Sequence, residues 1–236
     1  MPISCTVLAT ECDLTQEIEV RRSRFLCVLR RVATEDEARE LIAEQRRAHH
    51  DARHHCSAFV LGPDRMLQRS SDDGEPSGTA GAPMLEALTQ HRTAARGGSR
   101  GGSRDRSPDG SQSDLTDVCA VVVRWFGGTL LGAGGLVRAY TQAVTAALET
   151  APLVTRVRRR RLEVSVAPAL TGKLENELRA AGATVLPTSY GAAEAVLHVA
   201  VSDDEDEVAR LRSIAAAVTS GAARVTGTGM DWADLL

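Results

Sequence analysis

Three stretches in the first half of the chain have the alternating or continuous apolar pattern of β-strands. Residues 17–32 carry β-type side chains interrupted near Arg22, which predicts two strands joined by a turn. Residues 56–61 form a short apolar run, and after a Gly-Pro-Asp turn residues 66–69 predict its partner strand. The most apolar run, residues 118–126, predicts a buried strand.

Helical spacing separates these strands. Thr34 and Glu37 have the spacing of a capping box and open a predicted helix. Pro83 is expected as the first residue of a short helix over residues 84–89, and residues 134–150 predict a longer amphipathic helix. The core-facing positions expected for the first and last of these helices are Ala38, Leu41, Ile42 and Gln45, and Leu136, Val137, Tyr140, Val144, Ala147 and Leu148.

The last third of the chain predicts a second unit. After a stop at Pro152, the pattern gives strand, helix, two strands, helix and strand. These predicted elements cover residues 162–167, 169–181, 184–190, 195–201, 203–218 and 223–229. A β-α-β-β-α-β order of this length is typical of the ferredoxin-like fold. We therefore predict an α+β protein with two domains, over residues 1–153 and 157–236.

Composition narrows the class of protein. Of 236 residues, 43% are hydrophobic and 3% aromatic, so the cores must consist mainly of Val, Leu and Ala. Because the formal net charge is −3, any contact with nucleic acid must come from a local patch. Five cysteines without a CxxC pair predict reduced thiols. We expect a soluble, cytoplasmic protein without a signal peptide, a membrane span or contact with a membrane.

Residues 125–140 (WFGGTLLGAGGLVRAY) join the predicted buried strand to the long helix. A glycine-rich turn before a helix presents backbone N–H groups and the positive helix end at one point, which is an anion site. Two arginines flank this turn and can hold phosphate oxygens. The alternative is that the glycines only allow the helix to cross the sheet closely. The candidate ligand residues are Arg124, Gly127, Gly128, Gly132, Gly134, Gly135 and Arg138.

Residues 71–84 (SDDGEPSGTAGAPM) place three carboxylates within four positions. Such carboxylates repel one another unless other groups neutralise them. Pairing with Arg124 or Arg138 is one solution, and a Mg²⁺ ion is another, although we expect no cofactor. The third is a solvated turn in which Asp72 or Ser77 binds the N–H groups of a helix start. The cluster and its neighbours are Asp72, Asp73, Glu75, Ser77 and Thr79.

His54 and His55 precede the apolar strand at residues 56–61. In an extended chain they point to opposite faces, so one can face a site while the other lies in solvent. Either histidine can act as a base or donate to phosphate near neutral pH. Structural polar side chains at the start of a strand are the alternative. Nothing in the sequence places a nucleophile beside either histidine, so no catalytic residue is assigned.

Two arginine-bearing segments remain. Residues 95–113 are rich in Gly, Ser and Arg and cannot bury enough apolar surface, which predicts a disordered loop. Residues 156–161 (RVRRRR) can contact phosphates of nucleic acid or form the exposed start of an edge strand. We favour the edge strand.

Three segments resemble the YigZ/IMPACT family. They are residues 51–59 (DARHHCSAF), 71–81 and 122–140, in this order and spacing. The resemblance implies an N-terminal domain of the ribosomal protein S5 domain 2-like fold. It also implies a ferredoxin-like C-terminal domain similar to those of elongation factor G. Members of the family are linked to translation regulation and to nucleic-acid binding.

We therefore expect a translation-linked regulatory protein, not an enzyme, that binds RNA, the ribosome or another phosphate-bearing ligand in an N-terminal cleft. The alternative is an enzyme that acts on a small phosphorylated metabolite or nucleotide, with His54 or Asp73 as base. That alternative rests on analogy between folds. The chain's only lysine, Lys173, lies in the other predicted domain. A module that binds a protein partner is the third hypothesis.

Overall fold

The computed structural model describes residues 2–9, 13–91 and 114–235. The chain divides into two compact units, Met1–Thr155 and Arg156–Leu236. Residues 95–113, for which the sequence predicts disorder, lie outside the described residues. Within the described ranges, no helix combines the length and apolar character needed to cross a membrane.

Unit 1 is built on a five-stranded antiparallel sheet. The strands of this sheet are β2 (Leu14–Val20), β3 (Ser23–Arg31), β4 (His54–Leu61), β5 (Leu67–Ser71) and β6 (Val118–Trp125), and a further strand, β1 (Ser4–Leu8), precedes them in the chain. The sheet order is β2-β3-β6-β4-β5, so the apolar β6 lies at its centre, as a buried strand requires. β1 is outside this sheet and forms a parallel bridge from Thr6 to Leu115.

Three helices cover the two faces of this sheet: α1 (Glu35–Ala48), α2 (Gly81–Gln90) and α3 (Ala133–Thr150). Alternate residues of a strand point to opposite faces. On β6, Val121 therefore packs with Leu41 of α1, and Val122 packs in the core formed by Met84 of α2 and Tyr140 of α3. α1 lies on one face, and α2 and α3 lie on the other.

The observed helix N-termini and buried helix faces agree in part with those predicted from the sequence. Thr34 Oγ1 accepts the N–H of Glu37 at 3.2 Å, which confirms the predicted cap. Pro83 is the third residue of α2 and not the first, because the helix already begins at Gly81. Val137 was expected in the core but is 37% exposed, because it lies about 100° around the helix from Leu136, which is on the buried face of α3 with Ala139 and Tyr140.

Unit 2 contains an antiparallel sheet and two helices. Its elements are β7 (Leu153–Val166), α4 (Thr171–Ala180), β8 (Thr184–Val185), β9 (Ser189–Tyr190), β10 (Ala195–Ser202), α5 (Glu205–Thr219) and β11 (Arg224–Asp234). The strand order is β11-β7-β10-β8, and the short β9 also pairs with β10. Leu174 of α4 and Leu211 of α5 pack on the sheet with Leu197 of β10.

Two expectations for unit 2 are wrong. Residues 184–190 form two short strands and not one, and Pro187 between them has no N–H for a ladder. The arginine run at residues 156–161 is not on an edge strand, because β7 pairs with both β10 and β11. Carboxylates neutralise the arginines, so the run can lie between two neighbouring strands. Asp203 pairs with Arg158 and Arg160, Asp231 with Arg161, and Asp234 with Arg156.

Candidate functional site

Polar side chains gather where β4 and β6 meet beneath α3. His54 of β4 lies opposite Arg124 of β6 in the register of the two strands. Cys56, two residues after His54, packs in the core under α2 and α3, so His54 points to that face. The ring of His55 contacts the carbonyl of His49 at the end of α1, with Nε2 at 3.1 Å. The predicted opposite orientation of His54 and His55 is confirmed, but the expectation that the second histidine lies in solvent is wrong, because His55 is buried against the end of α1.

Glu75 is the centre of this cluster. Its Oε1 accepts from Arg124 Nη1 at 2.5 Å and from the Tyr140 hydroxyl at 2.8 Å. The side chains of Glu75 and Arg124 are 3% and 7% exposed, so this is a buried ion pair. His54 Nε2 lies 3.9 Å from the same oxygen. Tyr140 was not predicted as a partner of Glu75, although a buried tyrosine hydroxyl needs one.

His54 is held from its other side by the acidic segment, residues 71–81. Its Nδ1 lies 2.9 Å from the carbonyl oxygen of Asp73. A carbonyl only accepts, so this contact assigns the proton to Nδ1 and leaves Nε2 as the nitrogen that faces Glu75. His54 is half-buried and is the residue of this cluster best placed for proton transfer.

The thiol beside this cluster is not a nucleophile. Burial raises the pKa of Cys56 to about 12, against the smaller effect of the Tyr140 hydroxyl 3.3 Å away. Burial also raises the pKa of Tyr140, and the nearby Cys56 and Glu75 add to the effect. Both groups are therefore neutral near pH 7. Cys27 and Cys119 are buried free thiols too, as the composition predicts.

Asp72 organises the start of α2. Its Oδ2 accepts the N–H of Gly78 at 2.8 Å, and its Oδ1 accepts those of Ala80 and Gly81 at 3.0 and 2.8 Å. Burial opposes ionisation of this carboxyl, but the three N–H donors prevail and lower its pKa. Of the alternatives left open for this segment, binding of helix-start N–H groups is the one observed for Asp72. At Gly81 a Cβ would lie 2.7 Å from the backbone nitrogen of Ser71, so only glycine fits.

Asp73 is bound from the opposite side of the sheet. Its Oδ1 accepts from Arg46 at 2.6 Å, and its Oδ2 accepts the backbone N–H of His55 at 2.6 Å. Nearby, Thr79 donates its hydroxyl to the carbonyl of Pro76 at 2.7 Å, and Ser77 is exposed. Each of the three carboxylates thus has its own protein partners. The described part of the chain holds no group of three or more His, Cys, Asp or Glu side chains placed to bind a metal ion.

The glycine turn, residues 127–135, follows β6. Gly127 donates its N–H to Ser23 Oγ at 3.1 Å, and a Cβ here would lie 2.0 Å from the backbone of Arg22, so glycine is required. Gly128 and Gly132 have φ of 85° and 70°, in the left-handed region that favours glycine. Gly134 and Gly135 lie in the first turn of α3.

α3 begins at this turn without a side-chain cap from the described residues and without an acidic residue in its first turn. The side chains before it are open to solvent, with Phe126 48% and Leu130 83% exposed. Arg138 is exposed and lines a groove of about 440 Å³ on the outer surface of α3. The structure therefore brings His54, Glu75 and Arg124 together but leaves Arg138 outside that cluster.

Comparison with known proteins matches both units. Residues 21–95 and 111–148 match the Impact N-terminal domain, and residues 164–222 match a domain of unknown function, DUF1949. The chain is 44% identical over 163 residues to the IMPACT family member YvyE of Bacillus subtilis, which covers 69% of this chain and 65% of that protein. It is 42% identical over 132 residues to the IMPACT family member YigZ of Escherichia coli, covering 55% and 54%.

A solved structure is similar over the whole length. The crystal structure of a hypothetical protein has a TM-score of 0.62 and 28% identity to this chain, over 97% of this chain and 99% of that one. The curated relatives are matched over a shorter part, because this chain spans less than two thirds of the length of YvyE and of YigZ. The residues that match the Impact N-terminal domain include His54, Glu75 and Arg124. By these matches the chain belongs to the IMPACT family.

Proposed function

We propose that this protein is a translation-linked regulatory protein that binds a phosphate-bearing ligand, RNA or the ribosome, beside the glycine turn. Resemblance to the family supplies the link to translation. Within the same proposal, unit 1 has the ribosomal protein S5 domain 2-like fold and unit 2 the ferredoxin-like fold. The order β11-β7-β10-β8, with α4 and α5 packed on the sheet, supports the second assignment.

The start of α3 carries the proposal. An 18-residue helix has unsatisfied N–H groups and a positive end at its N-terminus. In this helix no side chain of the described residues caps these N–H groups, and no acidic residue in the first turn balances the positive end. Arg138, in the second turn, adds an exposed positive charge. A phosphate group supplies the charge and the acceptors that this helix start lacks.

The acidic segment has a supporting role in this proposal. Its carboxylates already accept from Arg124, Arg46 and backbone N–H groups, so they fix the shape of the loop. Arg124 is buried, and one of its terminal nitrogens is committed to Glu75. It therefore holds the end of β6 from which the glycine turn departs, and Arg138 is the arginine offered to a ligand.

Fluorescence anisotropy with a short, labelled single-stranded RNA at two salt concentrations tests the proposal. Arg138→Glu should weaken binding by about tenfold and reduce its salt dependence. Arg212→Glu, an equal charge reversal at an exposed site on α5, should leave affinity unchanged. Equal affinity of wild type and Arg138→Glu would remove this site. If wild type does not bind at low salt, RNA is excluded and a protein partner becomes the hypothesis to test.

A second candidate is an enzyme that acts on a small phosphorylated metabolite or nucleotide. The proximity of His54 Nε2 to Glu75 favours it, whereas Asp73 is no longer a candidate base because both its oxygens have partners. Release of inorganic phosphate from nucleotides and sugar phosphates, measured for wild type and His54→Asn, tests this candidate. Equal background rates for the two proteins would exclude it.

A further inference from the structure

The hairpin between β2 and β3 has an unfavourable turn sequence. Val20 pairs with Ser23, so the loop consists of Arg21 and Arg22 alone, with φ of 48° and 69°. Two-residue loops with positive φ at both positions are of type I′ and strongly favour Asn-Gly. Residues with a Cβ are strained in this region, and such strain concentrates at functional sites. Local folding preference does not explain two arginines here.

The charges of this hairpin have no counter-ion within residues 2–9, 13–91 and 114–235. Arg21 and Arg22 are exposed, and no carboxylate of the described ranges pairs with either. Other arginines nearby do have partners, since Arg24 pairs with Glu17 and Arg46 with Asp73. The nearby carboxylate of Asp51 accepts from the Trp125 indole, and Glu19 is exposed on β2. The two turn arginines are therefore exposed to solvent and have no carboxylate partner among the described residues.

The hairpin adjoins the glycine turn. The close approach of Gly127 to the backbone of Arg22, with the hydrogen bond from Gly127 to Ser23, fixes one turn against the other. Phe126, next to Gly127, is 48% exposed. Trp125 on the other side is less accessible, because Arg24 covers one ring face at 4.7 Å and His49 packs against it. The two turn arginines thus lie on a hairpin whose backbone contacts the glycine turn one residue after the exposed Phe126.

We propose that Arg21 and Arg22 bind the sugar–phosphate backbone of single-stranded RNA whose neighbouring phosphate lies at the start of α3. An unpaired base stacks on Phe126. The inference rests on the proposed function and names the class of nucleic acid. Guanidinium groups bind phosphates along a strand, and an exposed aromatic ring accepts an unstacked base, which a duplex does not offer.

A turn-optimising variant separates folding from binding. Arg21→Asn with Arg22→Gly installs the residues that a type I′ turn favours, so the thermal midpoint should rise. RNA affinity should fall at least about tenfold, and the slope of log affinity against log salt should become shallower by about 1.4. A purely structural hairpin would give the rise in stability without the loss of affinity. Phe126→Ser should weaken binding with little change in the salt slope.

Controls distinguish this inference from the proposed function. Arg69→Gln with Arg212→Gln removes two positive charges at other exposed sites, and this variant should bind RNA as tightly as wild type does. Anisotropy is measured with a labelled 12-nucleotide single strand and with a duplex of the same sequence. If Arg138→Glu weakens binding but the hairpin variant does not, the hairpin is excluded and the proposed function stands. Tighter binding of the duplex overturns the single-strand assignment, and no binding by wild type overturns both proposals.

Discussion

The acidic segment and the glycine turn are equally conspicuous in the sequence, but the structure uses them in opposite ways. Asp72, Asp73 and Glu75 all have partners from the protein itself, and the segment is folded around them. The glycine turn leaves Phe126 and Leu130 exposed and leads into a helix without a capping side chain from the described residues. Dense charge therefore marks a loop that the protein neutralises internally, whereas the site that we propose lies at a helix start without a capping side chain from the described residues.

Arginines show the same contrast. The run at residues 156–161 is the densest positive segment of the chain, yet Asp203 alone pairs with Arg158 and Arg160 at 2.6 Å. Arg21 and Arg22 are only a pair, but no carboxylate of the described residues neutralises them. A count of basic residues would favour β7 as a site for a polyanion, whereas our proposal follows the arrangement of counter-ions and favours the β2–β3 hairpin.

Glu75→Gln is the strongest test of the internally neutralised segment. Gln keeps the size and a carbonyl acceptor but removes the charge that compensates Arg124, whose side chain is 7% exposed. Leaving one partner of a buried ion pair unpaired should lower the free energy of unfolding by about 3 kcal/mol. Urea unfolding followed by Trp125 fluorescence, in a Trp232→Phe background, reports on unit 1.

The matched control is Glu86→Gln, on the exposed side of α2, where the change should stay within about 0.5 kcal/mol. A loss below about 1 kcal/mol for Glu75→Gln would mean that the Glu75–Arg124 pair is dispensable. The acidic segment would then need another source of order, and the comparison with the glycine turn would no longer hold.

Gly127→Ala and Gly128→Ala separate two reasons for glycine in the turn. A Cβ at Gly127 would overlap the backbone of Arg22, which cannot move without disturbing β3, so about 2–3 kcal/mol of stability should be lost. At Gly128 an alanine would be strained only by the φ of 85°, so a loss of about 1 kcal/mol of stability is expected. Thermal unfolding monitored by circular dichroism measures both. Equal losses would contradict the contact between the two turns.

Local sequence patterns predicted the features that depend only on residues close together in the chain. The cap at Thr34, the buried β6 and the opposite faces of His54 and His55 follow from spacing alone. The partners of Glu75 could not be predicted, because Tyr140 is 65 positions away and meets it only through the packing of α3 on the sheet. The central place of β7 was missed for the same reason, since its carboxylates come from distant segments.

Asp72→Asn is the mildest test, because it changes one oxygen of a helix cap. Burial opposes ionisation of Asp72, but the N–H groups of Gly78, Ala80 and Gly81 outweigh it and lower its pKa below the unfolded value of about 3.9. A lowered folded-state pKa contributes stability above the unfolded pKa and loses it as the pH falls through the folded value. At pH 7 the variant should be less stable by about 1–2 kcal/mol.

The difference between wild type and Asp72→Asn should shrink as the pH falls below about 4, because the wild-type carboxyl then becomes neutral too. Urea midpoints from pH 7 to pH 2.5 measure this, with Glu40→Gln on the exposed side of α1 as the control for general charge effects. A constant difference at every pH would mean that the cap depends on shape alone. The acidic segment would then be ordered by the contacts of Glu75 and Asp73. Neutralisation of Asp72 by backbone N–H groups would no longer distinguish this segment from the glycine turn.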